Sequence, residues 1–405
     1  MDDRHFPDLR RLRAFEAIAE SGSLVGAAKR LRISQPAVTY LIQQLEAGLA
    51  TRLLERTSQG ARLTPKGEAF AARVVRFFAA MRNAVEAQLG AARTERRAAS
   101  VCERLTRTQC RALLAVWRGG DAQDGARRLA VREQAVLRAI RSLESLLAAP
   151  LLEHGGARVQ LNAGGREFSR RLALAAQEIT SGLQIIGSGP APGVRSLRIG
   201  ALVLSPRLIL AEAVDACARS DPRQSIEITE GSYEELVALL RSGAIDLIFG
   251  ALRDPPPYDD LAETALHEDP YVVACRRGHP LAGLKRIGRR QLAAAQFVLP
   301  TAGLRQSVME RLLAEWGVES ASQIHTSWLP SLIALVRSSD RLAILSQWHI
   351  DEDGAHDLQA LPAIKIPHAT RHVGATTRRN WLPTPFQACF LEELGAAVQV
   401  RVTGR

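Results

Sequence analysis

One feature constrains this chain more than any other: a block of its sequence occurs twice. Ala28, Leu31, Ala37, Val38, Ile42, Leu45, Leu49, Leu53, Leu54, Leu63 and Phe70 return 98 positions later as Ala126, Leu129, Ala135, Val136, Ile140, Leu143, Leu147, Leu151, Leu152, Leu161 and Phe168. Glu46, Glu55 and Gly67 return with them as Glu144, Glu153 and Gly165, and the register runs over 126–172 without a gap. Positions that keep apolar character in a fixed order are positions that pack. The two segments should therefore share one local fold.

In the first copy, Leu9, Leu12, Phe15 and Ile18 recur at helical spacing and predict a helix over 9–20. "SGS" breaks it, and Ser23 caps a second helix, Leu24 to Leu31. Arg32-Ile33 is a tight connection, and Ser34 caps a third helix that tolerates Pro36 in its first turn. Two short helices joined this way form a helix-turn-helix. Val38, Leu41, Ile42 and Leu45 make the buried stripe of the third helix, while Gln35, Thr39, Tyr40 and Gln43 lie towards its other face. Short and amide side chains near the start of such a helix suit base edges in a major groove, although a solvated polar face would look the same. "RLLERTSQGARLT" predicts a hairpin around Ser58-Gln59-Gly60, with Arg56 and Arg62 beside the turn and suited to phosphates. Thr64-Pro65 caps a long helix whose seam, Phe70, Val74, Phe77, Met81 and Val85, suits helix pairing.

The second copy keeps the apolar set and changes the polar face. Arg132, Glu133, Leu137, His154 and Gln160 stand where the first copy has Ser34, Gln35, Thr39, Arg56 and Arg62. Its long helix repeats the seam at Phe168, Leu172, Ala175, Ile179 and Leu183. Arg132, Glu133 and Leu137 are expected on the exposed helix face, where exchanging them costs little stability. The copy is expected to be a scaffold that pairs with the first along the seam, within the chain or across a dimer. A divergent second reader is the alternative. Arg132, Arg138 and Arg141 leave nonspecific phosphate binding open.

Charge points the same way. The net charge is +11, but residues 1–190 hold 30 Lys/Arg and 18 Asp/Glu, a balance of +12, against 23 and 24 in the remainder, a balance of −1. An excess confined to the repeated half suits a polyanionic partner there, or else a solvated basic surface. The five cysteines, Cys102, Cys110, Cys217, Cys275 and Cys389, form no CxxC, so neither a zinc site nor a disulfide framework is expected. The N-terminus has no apolar signal core and no long apolar run occurs, which predicts a cytoplasmic chain without cofactor or membrane partner.

Beyond a Gly- and Pro-rich linker at 187–195, strand and helix signals alternate. "LRIGAL", "SIEITEG", "IDLIFGAL", "YVVACRRGHPLA", "FVLP", "LAILSQ" and "HVGATT" are strand candidates, with helices over 206–219, 232–242, 307–316 and 329–338. The pattern predicts an α/β fold with mostly parallel sheets. No G-x-S-x-G, H-E-x-x-H or Walker loop occurs, so an enzyme is not expected. His267 and His279 lie near Asp269 and read as surface histidines beside an acid.

The first copy, with "AAKRLRISQPA" and "LLERT…LTPKG", resembles the winged helix-turn-helix of LysR-type transcriptional regulators over about 60 residues. That resemblance implies contacts to DNA from Ser34, Gln35, Pro36 and Thr39, with Arg56 and Arg62 on the backbone side. Tyr40, Gln43 and Gln44 depart from the basic residues common there, which implies a weaker phosphate grip and a distinct base preference. "LRIGAL…ITEGSYEELVALLRSGAIDLIFGAL…EDPYVVACRRGHPLA" looks like the effector domain of the same family, nearest its galactose-binding-protein regulator branch. That implies a periplasmic-binding-protein fold, two α/β subdomains around a ligand cleft, with chain crossings near 267 and 364. Ser205, Gly231, Ser232, Pro300, Thr301 and Ser327 are the cleft candidates, although Ser and Thr before helices are most often plain caps. The expected fold class is thus α plus α/β. Winged helix-turn-helix domains occupy 1–95 and 96–190, and an effector domain occupies 195–405. Its subdomain I covers 195–266 and 365–400, and subdomain II covers 267–364. The expected function is a homo-oligomeric regulator of double-stranded DNA governed by a polar or anionic small molecule. An architectural DNA-binding protein without a ligand and a cytosolic solute binder are the alternatives.

Overall fold

The computed structural model describes residues 6–57, 60–90, 95–156, 158–187, 195–203, 205–220, 223–253, 255–301, 304–317, 324–326, 328–352, 357–366 and 370–403. The chain divides into two compact units, Met1–Arg195 and Ser196–Arg405.

The first unit opens with α1 (Leu9–Ser21), α2 (Leu24–Leu31), α3 (Gln35–Leu49), β1 (Leu54–Thr57), β2 (Gly60–Leu63) and the long α4 (Pro65–Leu89). After α5 (Glu95–Arg104) the same order recurs as α6 (Arg107–Gly119), α7 (Ala122–Leu129), α8 (Glu133–Leu147), β3 (Leu152–Gly155), β4 (Arg158–Leu161) and α9 (Ala163–Ile186). The repeated polar residues have matching jobs. Glu46 Oε1 accepts from the Leu53 and Leu54 amides at 2.7 and 2.9 Å, and Glu144 Oε1 accepts from Leu151 and Leu152 at 2.7 and 3.0 Å. Each carboxylate fastens a third helix to the start of its hairpin. Thr64 and Asn162 cap the long helices through the Gly67 and Gly165 amides, and each also donates backwards, to the Arg52 and Pro150 carbonyls.

The two long helices lie antiparallel. Phe70, near the start of α4, faces Gly182, near the end of α9, and Gln88 lies beside Gly164. Glu178 meets Arg73 at 2.9 Å and Arg76 at 3.0 Å, with Arg73 only 3% exposed. The predicted seam, Phe70, Val74, Phe77, Met81 and Val85 with Phe168, Leu172, Ala175 and Ile179, is buried along this pair, and its last member, Leu183, is half-buried. Both copies share one apolar core running from Phe6 to Ile186. Phe6 reaches within 6.3 Å of the Phe77 ring, its carbonyl accepts from Arg107, and Arg13 donates to the Cys102 carbonyl from α1 across to α5. The described residues of the first unit are thus packed as one body.

Leu137 departs from expectation. It is buried at 5% exposure within that core, where Thr39 in the first copy is half-buried. The fold around α8 therefore covers a surface that around α3 is open, and the expectation that an exchange at 137 is free is wrong.

The second unit holds β5 (Arg195–Leu202), α10 (Arg207–Ser220), β6 (Gln224–Gly231), α11 (Tyr233–Ser242), β7 (Leu247–Ala251), β8 (Leu261–Arg276), α12 (Arg289–Ala294), β9 (Gln296–Leu299), α13 (Leu304–Trp316), β10 (Ile324–His325), α14 (Leu329–Arg337), β11 (Arg341–Ser346), α15 (Gln347–Glu352), β12 (Leu358–Ala360), β13 (Thr370–Arg378) and α16 (Pro385–Thr403). The strand order is β10-β9-β11-β8-β13-β7-β5-β6, with β12 also on β8. β5 pairs with β7, and β9 with β10 and β11, in parallel. The pairs made by β8 and β13 are antiparallel, which corrects the expectation of mostly parallel sheets. The reason is β8, whose 16 residues pair first with β13 and then with β11, so one strand runs through both ends of the unit. Separate apolar clusters lie on either side of it, around Phe249 and Phe390 and around Phe297 and Leu342. Among the described residues, no helix is long and apolar enough to cross a membrane.

Candidate functional site

In the first unit, the face opposite the core of α3 is polar and open. Gln35, Pro36 and Gln43 are exposed and Tyr40 is 60% exposed, while Thr39 is half-buried. Val38, Ile42 and Leu45 bury the opposite stripe, so packing fixes which way the polar face points. Ser34 caps the helix by accepting from the Ala37 amide, and the Thr39 hydroxyl donates to the Gln35 carbonyl at 3.1 Å. Ser34 is itself exposed, so the cap sits at the open end of the helix. Arg62 is exposed on β2 opposite Glu55, and Arg56 pairs with Ala61 in the register of the hairpin. Ser58 and Gln59 of the predicted turn lie outside the described residues. A helix start carrying amides and hydroxyls beside a cationic hairpin matches the chemistry of base edges and phosphates.

At the same place in the second copy, Arg132 makes no side-chain cap. Arg132, Glu133 and Arg138 are exposed. The start of α8 thus offers two guanidinium groups and a carboxylate, with no small hydroxyl, and Leu137 has turned into the core.

In the second unit, several sequence candidates are already employed by the fold. Ser205 is 3% exposed and its hydroxyl donates to the Phe249 carbonyl at 2.8 Å. Ser232 forms a capping box with Glu235 at the start of α11, just after Gly231 ends β6. Pro300 is buried and Thr301 exposed at the end of β9. Ser327 lies outside the described residues.

The polar centre of this unit is a cluster that the sequence reading missed. Asp269, fully buried on β8, accepts from Arg371 of β13 at 2.8 Å and from the Trp348 amide at 3.0 Å. Arg371, 3% exposed, also donates to Ser346 Oγ, and Ser346 Oγ lies 2.8 Å from His349 Nδ1. Arg305, near the start of α13, is 4% exposed. Burial and the neighbouring Arg371 and Arg305 cations push His349 well below the usual imidazole range. Asp269 is therefore no surface acid. His267 sets its ring edge-on to Trp348 at 4.8 Å, and His279 is buried and bonds the Asp340 carbonyl and the Leu281 amide. Both histidines are half-buried or buried parts of the framework, which corrects their reading as surface groups. Asp269 and Arg371 stand 102 positions apart, so only "DPYVV" entering a strand could have hinted at the cluster. Among the described residues, no group of His, Cys, Asp or Glu is arranged to hold a metal ion.

Comparison with known proteins agrees with both units. Residues 9–68, and again 108–166, match the model described as "Bacterial regulatory helix-turn-helix protein, lysR family". Residues 191–399 match "LysR substrate binding domain". The chain is similar to the HTH-type transcriptional regulator GalR of Pseudomonas putida, 29% identical over 390 residues that cover 95% of this chain and 96% of that one. It is similar to the HTH-type transcriptional regulator PcaQ of Agrobacterium fabrum, 26% identical over 63% of this chain and 83% of that one. Among solved structures, a full-length OxyR variant from Pseudomonas aeruginosa shares the fold, with a TM-score of 0.52 at 19% identity over 73% of this chain and 95% of that one.

Proposed function

The chain belongs to the LysR family of DNA-binding transcriptional regulators, and on that premise we propose that α1 to β2 read double-stranded DNA while the second unit senses a small polar or anionic effector. The observation that carries the reading is the exposed polar start of α3, set on a packed core in the basic half of the chain. Gln35 and Thr39 contact base edges, Ser34 and Pro36 fix the approach of the helix, and Tyr40 and Gln43 extend the contact along the groove. Arg56 and Arg62 hold phosphates and set the register.

The second copy is a degenerate winged helix-turn-helix that serves as scaffold. Its long helix lies beside α4 inside the same chain, and it has Arg132, Glu133 and Leu137 in place of the Ser34, Gln35 and Thr39 of the first copy. The effector domain covers 195–405, with subdomains at 195–266 with 365–400 and at 267–364. Pro300, Thr301, Gly231 and Ser232 are the proposed effector contacts, while the Ser205 hydroxyl is held by the Phe249 carbonyl. The protein works as a homo-oligomer in the cytoplasm.

Binding of the full chain to a native operator, measured against salt, tests this. Phosphate neutralisation releases counterions, so the affinity should fall steeply and linearly on logarithmic axes. Arg62→Ala should weaken operator and random DNA alike. Gln35→Ala should mainly erase the difference between them. A flat salt dependence would overturn the reading.

A further inference from the structure

Arg305 stands out among the buried polar groups. Its Nε and both terminal nitrogens are buried and meet no acceptor among the described residues. A guanidinium has five N–H donors and no acceptor, and it does not shed its charge at neutral pH. Its surroundings do not balance it. Arg371, Tyr271 and His349 are close enough to act on it or be acted on, and Arg207 also acts on His349. The buried carboxylate at this centre, Asp269, is already spent on Arg371 and on the Trp348 amide. One cation is thus in surplus.

The histidine supplies a second donor. Ser346 Oγ accepts from Arg371 Nη2, so the hydroxyl proton points to His349 Nδ1. Nδ1 is then the acceptor and Nε2 carries the ring proton. Nε2 is also buried without a partner. Burial first, and then the neighbouring Arg371, Arg305 and Arg207 cations, hold the ring neutral. One surplus positive charge and one neutral donor suit a single negative charge on two oxygens. The planar guanidinium matches a carboxylate in that fork geometry. Arg207, which acts on His349, also lines with α14 residues Pro330, Ile333, Ala334 and Arg337 a cavity of about 280 Å³, room for a small organic body with an apolar side.

Resting on the effector reading above, we infer that the effector is a carboxylate whose head group pairs with Arg305 and His349. A buried, unpaired guanidinium costs stability, and a carboxylate bound to it offsets that cost, so binding stabilises the folded protein. Ser346, Asp269 and Arg371 are positioning residues that orient the imidazole.

The test uses the full-length protein, thermal unfolding and calorimetric titration. Acetate, pyruvate, succinate and benzoate are each compared with the matching amide, and with sulfate at equal ionic strength. At least one carboxylate should raise Tm and bind tenfold or more tightly than its amide and than sulfate. Arg305→Met should lose that binding tenfold or more, and without additive its Tm should equal or exceed that of the wild type. His349→Gln should weaken the same carboxylate about threefold to tenfold. Four results each overturn the inference: no carboxylate binding, an amide or sulfate binding as well as the acid, Arg305→Met binding within twofold of wild type, or an Arg305→Met Tm below wild type. Salt-dependent operator binding by the wild type is read separately, so the regulator reading can stand if the carboxylate falls.

Discussion

A Cβ placed on Gly67 would lie 2.1 Å from the Leu53 carbonyl oxygen, and one on Gly165 2.3 Å from that of Leu151. Both glycines begin a long helix where the hairpin's entry strand crosses it, and backbone cannot yield as a side chain can. Gly67→Ala and Gly165→Ala should each destabilise the protein by about 1–3 kcal/mol in urea unfolding, the range of overpacking. Equal wild-type stability for either would mean that the crossing is looser than drawn. Glu16 of α1 gives a second residue-scale test. Burial, with Glu20 nearby, raises its carboxyl from 4.5 to about 7, against the opposing pull of Arg82, Arg30 and Arg13. Ionising it therefore costs folded-state stability. The cost is full above pH 7, shrinks as pH falls, and is gone below 4.5, where both states are protonated. Glu16→Gln should raise Tm relative to wild type at pH 8, and the gap should close on the way to pH 5. A gap independent of pH would show that the carboxyl titrates normally.

Elements show what was legible in the sequence. The helices of the first copy and the caps Ser23, Ser34 and Thr64 could be read because each rests on local chemistry: a 3.6-residue apolar period with a Ser or Thr at the cap. α16 carried a comparable signal, with Phe386, Phe390, Leu394 and Val398 buried at spacings of four, but the reading did not place it. The first half of β8 was hidden because "LAETALHEDP" lacks a clean alternation; it is a strand because β13 pairs with it. Leu137 was misplaced because its face was judged by analogy with α3, and burial depends on what the rest of the fold lays over a helix. Leu137→Thr, the residue of the first copy, should therefore cost about 1–3 kcal/mol, from the lost apolar burial and a hydroxyl in the core. The α4–α9 pair makes a sharper claim. Glu178→Ala removes the carboxylate facing the buried Arg73, and Arg76 beside it. Breaking such a pair from one side should cost about 3–5 kcal/mol. A loss under 1 kcal/mol by chemical denaturation would mean that the two helices do not depend on this contact.

At the scale of the whole molecule, the pairing of α4 with α9 decides how many readers a chain has. A regulator that pairs its long helices between subunits presents two equivalent recognition helices. Here the seam is filled within the chain, and α8 begins with Arg132 and Glu133 and buries Leu137. Glu133 would meet phosphates and base acceptors with like charge, and Leu137 has no hydrogen bond to give. Arg132 and Arg138 can still attract a duplex through its phosphates, and phosphate contacts bind all sequences alike. One chain should then read one half-site. Footprints on a native operator separate the cases. The Glu133→Ala, Arg138→Ala double variant should protect the same bases as wild type at somewhat altered affinity, because its changes lie on an exposed face. Gln35→Ala should lose discrimination by about 1–3 kcal/mol if its amide makes a bidentate base contact. Destroying one half-site of the operator should remove protection over that half and leave the other half protected. If the folded double variant instead loses protection over part of the site, the second copy reads sequence, and the in-chain pair is a two-headed reader with two different half-site preferences.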